Sequence, residues 1–258
     1  ETIPLENPVP QVGAEIQRMS ASEAKATQAW IDDCEAFIET FHAPEKLTIA
    51  CPGPSAVQRC TDRLLVGSAE LSRKRKLPIH IHLAETKPQA VMGQRIYGTS
   101  LLRHLDEIGV LDETMSLAHA IWVEPEDIEL FAKRSATPVH NPASNLRIGS
   151  GFAPVKEYIR AGVKVALGTD GAASNDGQNM FDAVRLATLI HNQAGSDFNH
   201  WIAPQQALAM ATRNGARAFG IDAGAIAPGK LADIVLLRRD TAAFTPLNDV
   251  LGQIVFCE

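Results

Sequence analysis

Two histidines and a carboxylate fall close together in His80-Ile81-His82-Leu83-Ala84-Glu85, within an apolar run that starts at Ile79. Alternation along a strand puts His80 and His82 on one face, with His82 nearer the C-terminal end. Glu85 has the opposite parity, so it joins that face only if the chain has already left the strand. Taken alone, two histidines on a buried strand are more simply read as hydrogen-bonded core residues than as ligands. Three further positions shift the balance. His119 in Leu117-Ala118-His119-Ala120, His140-Asn141 after Pro138-Val139, and Asp170 after Ala166-Leu167-Gly168-Thr169 each close a separate apolar run. Polar groups buried without partners are costly, whereas a parallel barrel gathers its strand ends around one rim. Imidazole and carboxylate suit zinc or iron, and a site that keeps one position for water is catalytic.

The elements that must position these residues read as a βα repeat. Short β-branched runs at 47–50, 79–84, 116–121, 137–140 and 163–168 predict five parallel strands. Helical patterns lie between them at 57–75, 100–108, 125–133 and 154–161, several opened by Ser, Glu or Pro and closed by Gly109 or Gly162. Such units build a doubly wound sheet or a (β/α)₈ barrel. A helical stretch at 20–41 carries Trp30, Cys34, Phe37, Ile38 and Phe41 on one side, read as core packing. After Asp170 come a polar loop at 171–179, a helix at 180–191, a linker with Gly195-Ser196-Asp197, and an Ala-rich helix at 204–219. The rhythm then changes: a turn-rich stretch at 224–230 feeds an expected strand at 232–237, and 250–256 is read as another. Residues 1–224 are thus expected to be the barrel and 225–258 the start of a small β-sandwich.

Net charge is −6, with 24 Lys and Arg against 30 Asp and Glu, and no basic stripe extends beyond Arg73 to Lys76. This argues against a nucleic-acid or anionic-membrane partner. No apolar stretch approaches the roughly 20 residues that span a bilayer, and the first residues show no signal-peptide pattern. The four cysteines, Cys34, Cys51, Cys60 and Cys257, are scattered without a CxxC spacing, as expected of a reduced cytoplasm.

Four ordered motifs resemble the amidohydrolase superfamily. They are His82-Leu83-Ala84-Glu85-Thr86, Leu117-Ala118-His119-Ala120, His140-Asn141-Pro142-Ala143-Ser144-Asn145, and Leu167-Gly168-Thr169-Asp170-Gly171 followed by Ser174-Asn175-Asp176. The likeness is to its aminohydrolase branch, which includes S-adenosylhomocysteine/methylthioadenosine deaminases, guanine and 8-oxoguanine deaminases, and triazine hydrolases. Gly224 to Leu237 is similar to the entry into that family's C-terminal β-sandwich. The resemblance implies an α/β fold of TIM-barrel type, here its strands four to eight, plus part of the sandwich. It implies His82 and Asp170 as ligands of one divalent metal per chain, zinc with iron as the alternative. Glu85 would shuttle protons, His119 would contact the metal's water, and Asp170 would also accept a proton. His140, Asn141, Asn145 and Ser174 would line the substrate pocket; turn and cap roles are the alternative for Asn141, Asn145 and Ser174. The implied reaction is hydrolytic deamination of an amino-substituted nitrogen heterocycle such as a purine, pterin or triazine. The implied partners are that substrate, water and a second copy of the chain. Displacement of chloride or an alkylamine from a triazine is the nearest alternative, and a non-catalytic ligand-binding barrel is the alternative from another class.

Two departures qualify the likeness. The family carries a further His-x-His on its first barrel strand, and the only histidine before His80 is His42. A chain lacking strands one to three is therefore expected. In Pro52-Gly53-Pro54-Ser55, Gly53 stands where many adenosine-type members carry a base-holding histidine, which points away from adenosine-type specificity.

Overall fold

The computed structural model describes residues 24–194 and 197–257. Its centre is a four-stranded parallel sheet in chain order: β1 (Ile79–Leu83), β2 (Met115–His119), β3 (Thr137–His140) and β4 (Ala166–Leu167). In register, His82 stands beside Ala118, Ala118 beside Val139, and Val139 beside Ala166. The α/β class and parallel order agree with the sequence reading. Four of the five expected strands form, most of them shorter than expected.

The missing one, at 47–50, is replaced by a single antiparallel bridge between Ala43 and Thr48. The following residues nonetheless lie along β1: the amides of His80 and His82 donate to the carbonyls of Pro52 and Ser55 at 3.2 and 3.3 Å. Pro52 and Pro54 have no N–H to return, so no ladder closes.

Helices cover the sheet, and local signals set their ends. In α1 (Ala24–Phe41), Ile38 is buried and Cys34 partly so, but Phe37 and Phe41 are exposed, correcting the expected apolar side. The start of that expected helix, 20–23, lies outside the described residues, as do Gly195 and Ser196 of the linker. Thr61 caps α2 (Asp62–Arg75) by accepting the Leu64 amide at 3.2 Å. A helix not anticipated, α3 (Lys87–Tyr97), starts at a Thr86/Gln89 capping box and stops at Gly98, whose φ of +70° suits glycine. The chain continues through α4 (Leu101–Glu107), α5 (Pro125–Arg134), α6 (Pro142–Arg147), α7 (Val155–Arg160), α8 (Ala172–Asn175) and α9 (Met180–Leu189). The expected helix at 204–219 is split: α10 (Pro204–Ala209) and α11 (Gly215–Ala218) flank a π-helical turn at Met210–Asn214. Ile79, Ile81, Leu83, Met115, Leu117, Phe131 and Tyr158 form the heart of the core under these helices. Each such side chain contributes about 1.5–3 kcal/mol by leaving water.

Neither expected sandwich strand forms. Residues 231–238 take no regular structure, and Ile234, Val235 and Leu236 are exposed. Residues 250–256 are a helix, α12 (Val250–Phe256), with Val255 buried in the main core. Apolar residues at 250, 251, 254 and 255 fit a helical stripe, and an isolated strand has no partner for its backbone.

Candidate functional site

The C-terminal ends of β1, β2 and β4 share an uncommon backbone. Ala84, His119, Ala120 and Asp170 all have positive φ, between +43° and +71°. For a side chain with a Cβ this region costs about 1–2 kcal/mol, and such strain gathers where surrounding contacts hold it. The contacts are present here. Ala120 N–H donates to Leu83 C=O at 2.9 Å, and the amides of Ile121 and Trp122 donate to Ala84 C=O at 3.2 and 3.0 Å. The buried Tyr158 hydroxyl donates to Ala120 C=O at 2.9 Å. The turn at Ala84 also answers the parity problem of Glu85: the chain has left strand geometry one residue earlier, so the carboxylate swings to the histidine side.

His119 Nε2 stands 3.9 Å from Glu85 Oε1 and 4.0 Å from Asp170 Oδ2. The His82 ring stacks on His119 with centroids 5.5 Å apart. His82 Nδ1 donates to Ser55 C=O at 2.5 Å, which leaves its Nε2 lone pair available. Asp170 accepts from the Ser144 hydroxyl at 2.6 Å and the Gly171 amide at 2.7 Å. Burial pushes the Asp170 carboxyl up, but these bonds and the charge of His119 outweigh it, so the carboxyl lies below its ordinary range. Glu85 is fixed by Gln89, whose Oε1 accepts the Glu85 amide at 2.8 Å. One layer deeper, His80 bonds Ser116 Oγ at 2.7 Å. Burial, then the charges of His82 and His119, push its imidazole down to about 4.

His82, Glu85, His119 and Asp170 therefore converge from β1, β2 and β4, as their places at strand ends predicted. Asn145 and Asn141 join them from the other side of His119, with Asn145 Oδ1 2.9 Å and Asn141 Nδ2 3.5 Å from its Nδ1. Ser174 sits in α8 beside Asp170 with its hydroxyl bonded to Gly171 C=O at 3.2 Å, so it braces that turn. His140, expected in the substrate pocket, lies within electrostatic reach of His119 but bonds elsewhere. It follows Val139 on the opposite face of β3, is 1% exposed, and its Nε2 meets His191 Nε2 at 3.2 Å. Burial holds both imidazoles low, that of His191 at about 4. Sequence reasoning missed Ser144, Gln89 and the Ser55 carbonyl. Only Gln89 had a readable signal, as the third helical residue after the capping Thr86.

His82 and Asp170 offer a metal one imidazole and one carboxylate, each oriented by hydrogen bonds through its other atoms, as ligands commonly are. Among the described residues, no group of three or more His, Cys, Asp or Glu stands ready to hold a metal ion. Nor, among them, is any helix long and apolar enough to cross a membrane.

A model of the amidohydrolase family matches residues 6–255. The chain is 38% identical over 240 residues to a 5′-deoxyadenosine deaminase of Methanothermobacter thermautotrophicus, covering 93% of this chain and 54% of that protein. It is 37% identical over 225 residues to a 5-methylthioadenosine/S-adenosylhomocysteine deaminase of Thermococcus sibiricus, covering 85% and 51%. Among solved structures, an atrazine chlorohydrolase of Arthrobacter aurescens TC1 complexed with zinc superposes with a TM-score of 0.81 at 32% identity, covering 88% of this chain and 51% of that one. The chain thus spans about half the length of the curated relatives it matches.

Proposed function

Because this chain belongs to the amidohydrolase family, we propose that it carries the proton-transfer side of the active site of a hydrolytic deaminase. The reaction replaces an amino group on a nitrogen heterocycle by oxygen and releases ammonia. The observation that carries this reading is the placing of two carboxylates, Glu85 and Asp170, 3.9 and 4.0 Å from one imidazole nitrogen of His119. The names of the curated relatives and the zinc of the structural neighbour support it.

His82 and Asp170 would hold zinc together with ligands from outside the described residues. Bound there, the ion would supply the Lewis acidity that makes water a nucleophile near neutral pH. His119 Nε2 and Asp170 take the proton of the water whose oxygen adds to the amino-bearing carbon. Glu85, fixed by Gln89, hands its proton to the adjacent ring nitrogen and then takes up the proton of the added hydroxyl, while the water proton held by His119 and Asp170 passes to the departing amine. The C–N bond breaks, ammonia leaves and a ring carbonyl remains. Asn141 and Ser174 shape the pocket floor and the Asp170 turn. On this reading the protein holds one zinc per chain, works as a homodimer in the cytoplasm, and divides near Ala225 into the barrel and a second unit.

Ammonia release from the zinc-loaded protein across adenine nucleosides, guanine, pterins and aminotriazines tests the reading. The relatives put 5′-deoxyadenosine and 5-methylthioadenosine first in that panel, although Gly53 takes the place of a base-holding histidine. Turnover of one class is the expected result, and no ammonia from any of them would sink it. The likeness to an atrazine chlorohydrolase keeps a second reading open, in which chloride leaves instead; chloride release from a chlorotriazine without any deamination would establish it.

A further inference from the structure

A neutral imidazole carries one N–H and one lone pair, so the place of the hydrogen on His119 decides what that ring can do. Nδ1 has two neighbours: the Asn145 amide oxygen at 2.9 Å and the Asn141 amide nitrogen at 3.5 Å. It cannot serve both, since one contact requires its hydrogen and the other its lone pair. The shorter contact prevails. Reversing the Asn145 amide would aim two NH₂ groups at a single lone pair and bury the amide oxygen without a donor.

Asn145 is built for the task. It is 1% exposed, its N–H donates to Asn141 C=O at 2.9 Å, and its C=O accepts the Ser150 amide at 2.9 Å. Its Nδ2 has no hydrogen-bond partner among the described residues, so the bond to His119 is what sets the rotation of the amide.

We propose that Asn145 is a positioning residue that holds His119 with its hydrogen on Nδ1 and its lone pair on Nε2, toward Glu85 and Asp170. The other tautomer would point N–H at both carboxylates and leave the reacting water without this base. A triad histidine left in the wrong tautomer loses roughly 10⁴-fold in kcat, which sets the scale. The kinetic consequence rests on the deaminase reading, but the tautomer does not.

The test is ¹⁵N-histidine NMR of the zinc-loaded protein, with the His119 signals identified by their loss in His119→Gln. Nδ1 is expected to carry the hydrogen in the unmodified protein and in Asn145→Asp, whose carboxylate still accepts. In Asn145→Leu the hydrogen should move to Nε2 in part or fully, and kcat should fall about 100-fold or more with KM within about threefold and zinc retained. Nε2–H in the unmodified protein overturns the proposal, and so does an unchanged His119 spectrum in folded Asn145→Leu. Should Asn145→Leu fail to fold, the unmodified protein and Asn145→Asp still decide. An Nδ1–H spectrum in a protein that releases no ammonia would support this proposal and count against the deaminase reading alone.

Discussion

His119 and His140 stand one residue past the paired Ala118 and Val139 on neighbouring strands, and each is 1% exposed, yet they come to different chemistry. At His119 and Ala120 the backbone turns left-handed, and the ring swings to two carboxylates and an amide. At His140 the chain makes no such turn, and its ring meets the His191 ring at 3.2 Å, with His119 within electrostatic reach. Residue type and strand position are the same; a backbone torsion separates a ring that faces two carboxylates from one that meets a second imidazole. The strained turn is held by bonds from Tyr158, Ala120, Ile121 and Trp122. Those elements therefore serve the site without touching it.

Exchanging the two histidines tests this contrast hardest. His119→Asn should lower kcat about 1,000-fold, the range of a lost acid–base group, while His140→Asn should leave kcat within about threefold once folding is confirmed by circular dichroism. Equal losses would break the comparison. A second effect belongs to the buried imidazoles, among which His140 and His191 form a pair. The unfolded chain binds protons at these imidazoles below about pH 6.5, whereas folded His191 resists down to about 4. Stability should therefore fall as pH drops through that window and level off beneath it, by about 3 kcal/mol for His191. Urea midpoints at pH 7 and pH 4.5 measure the drop, and His191→Gln should shrink it. A drop of the same size in that variant would show that the pair is not its source. The smallest effect concerns Gly168, where an added Cβ would lie 2.3 Å from Asn141 Oδ1 and 3.2 Å from Val139 Cγ1. Gly168→Ala should destabilise by about 1–3 kcal/mol and lower kcat by displacing Asn141. An unchanged midpoint would mean that the floor beneath His119 is looser than these contacts require.

The same contrast shows what the sequence made legible. His82 with Glu85, His119 and Asp170 were recognisable because they stand at the ends of three separate apolar runs, and parallel strands bring such ends together. The turn at Ala84 was foreshadowed only as a condition that Glu85 would need. The face taken by His140 was not readable, since no residue type announces a left-handed torsion at a neighbouring position. Ser144 and the Ser55 carbonyl escaped for a similar reason: ordinary serines become partners of Asp170 and His82 only once β1 and β4 are in place. Away from the site, the strand expected at 250–256 became α12 because its apolar spacing fits both periods. The run at 47–50 lost its ladder to the prolines that follow it, which a stricter reading of Pro52 and Pro54 would have caught.

The claim at the centre of the proposed function is that His82 and Asp170 are ligands of one metal. Elemental analysis of zinc per chain in the protein, in His82→Ala and in Asp170→Asn measures it directly. The account predicts one equivalent in the first and near none in both variants, each still folded. Zinc retained in both variants, or absent from the folded protein even after zinc is supplied, would contradict it.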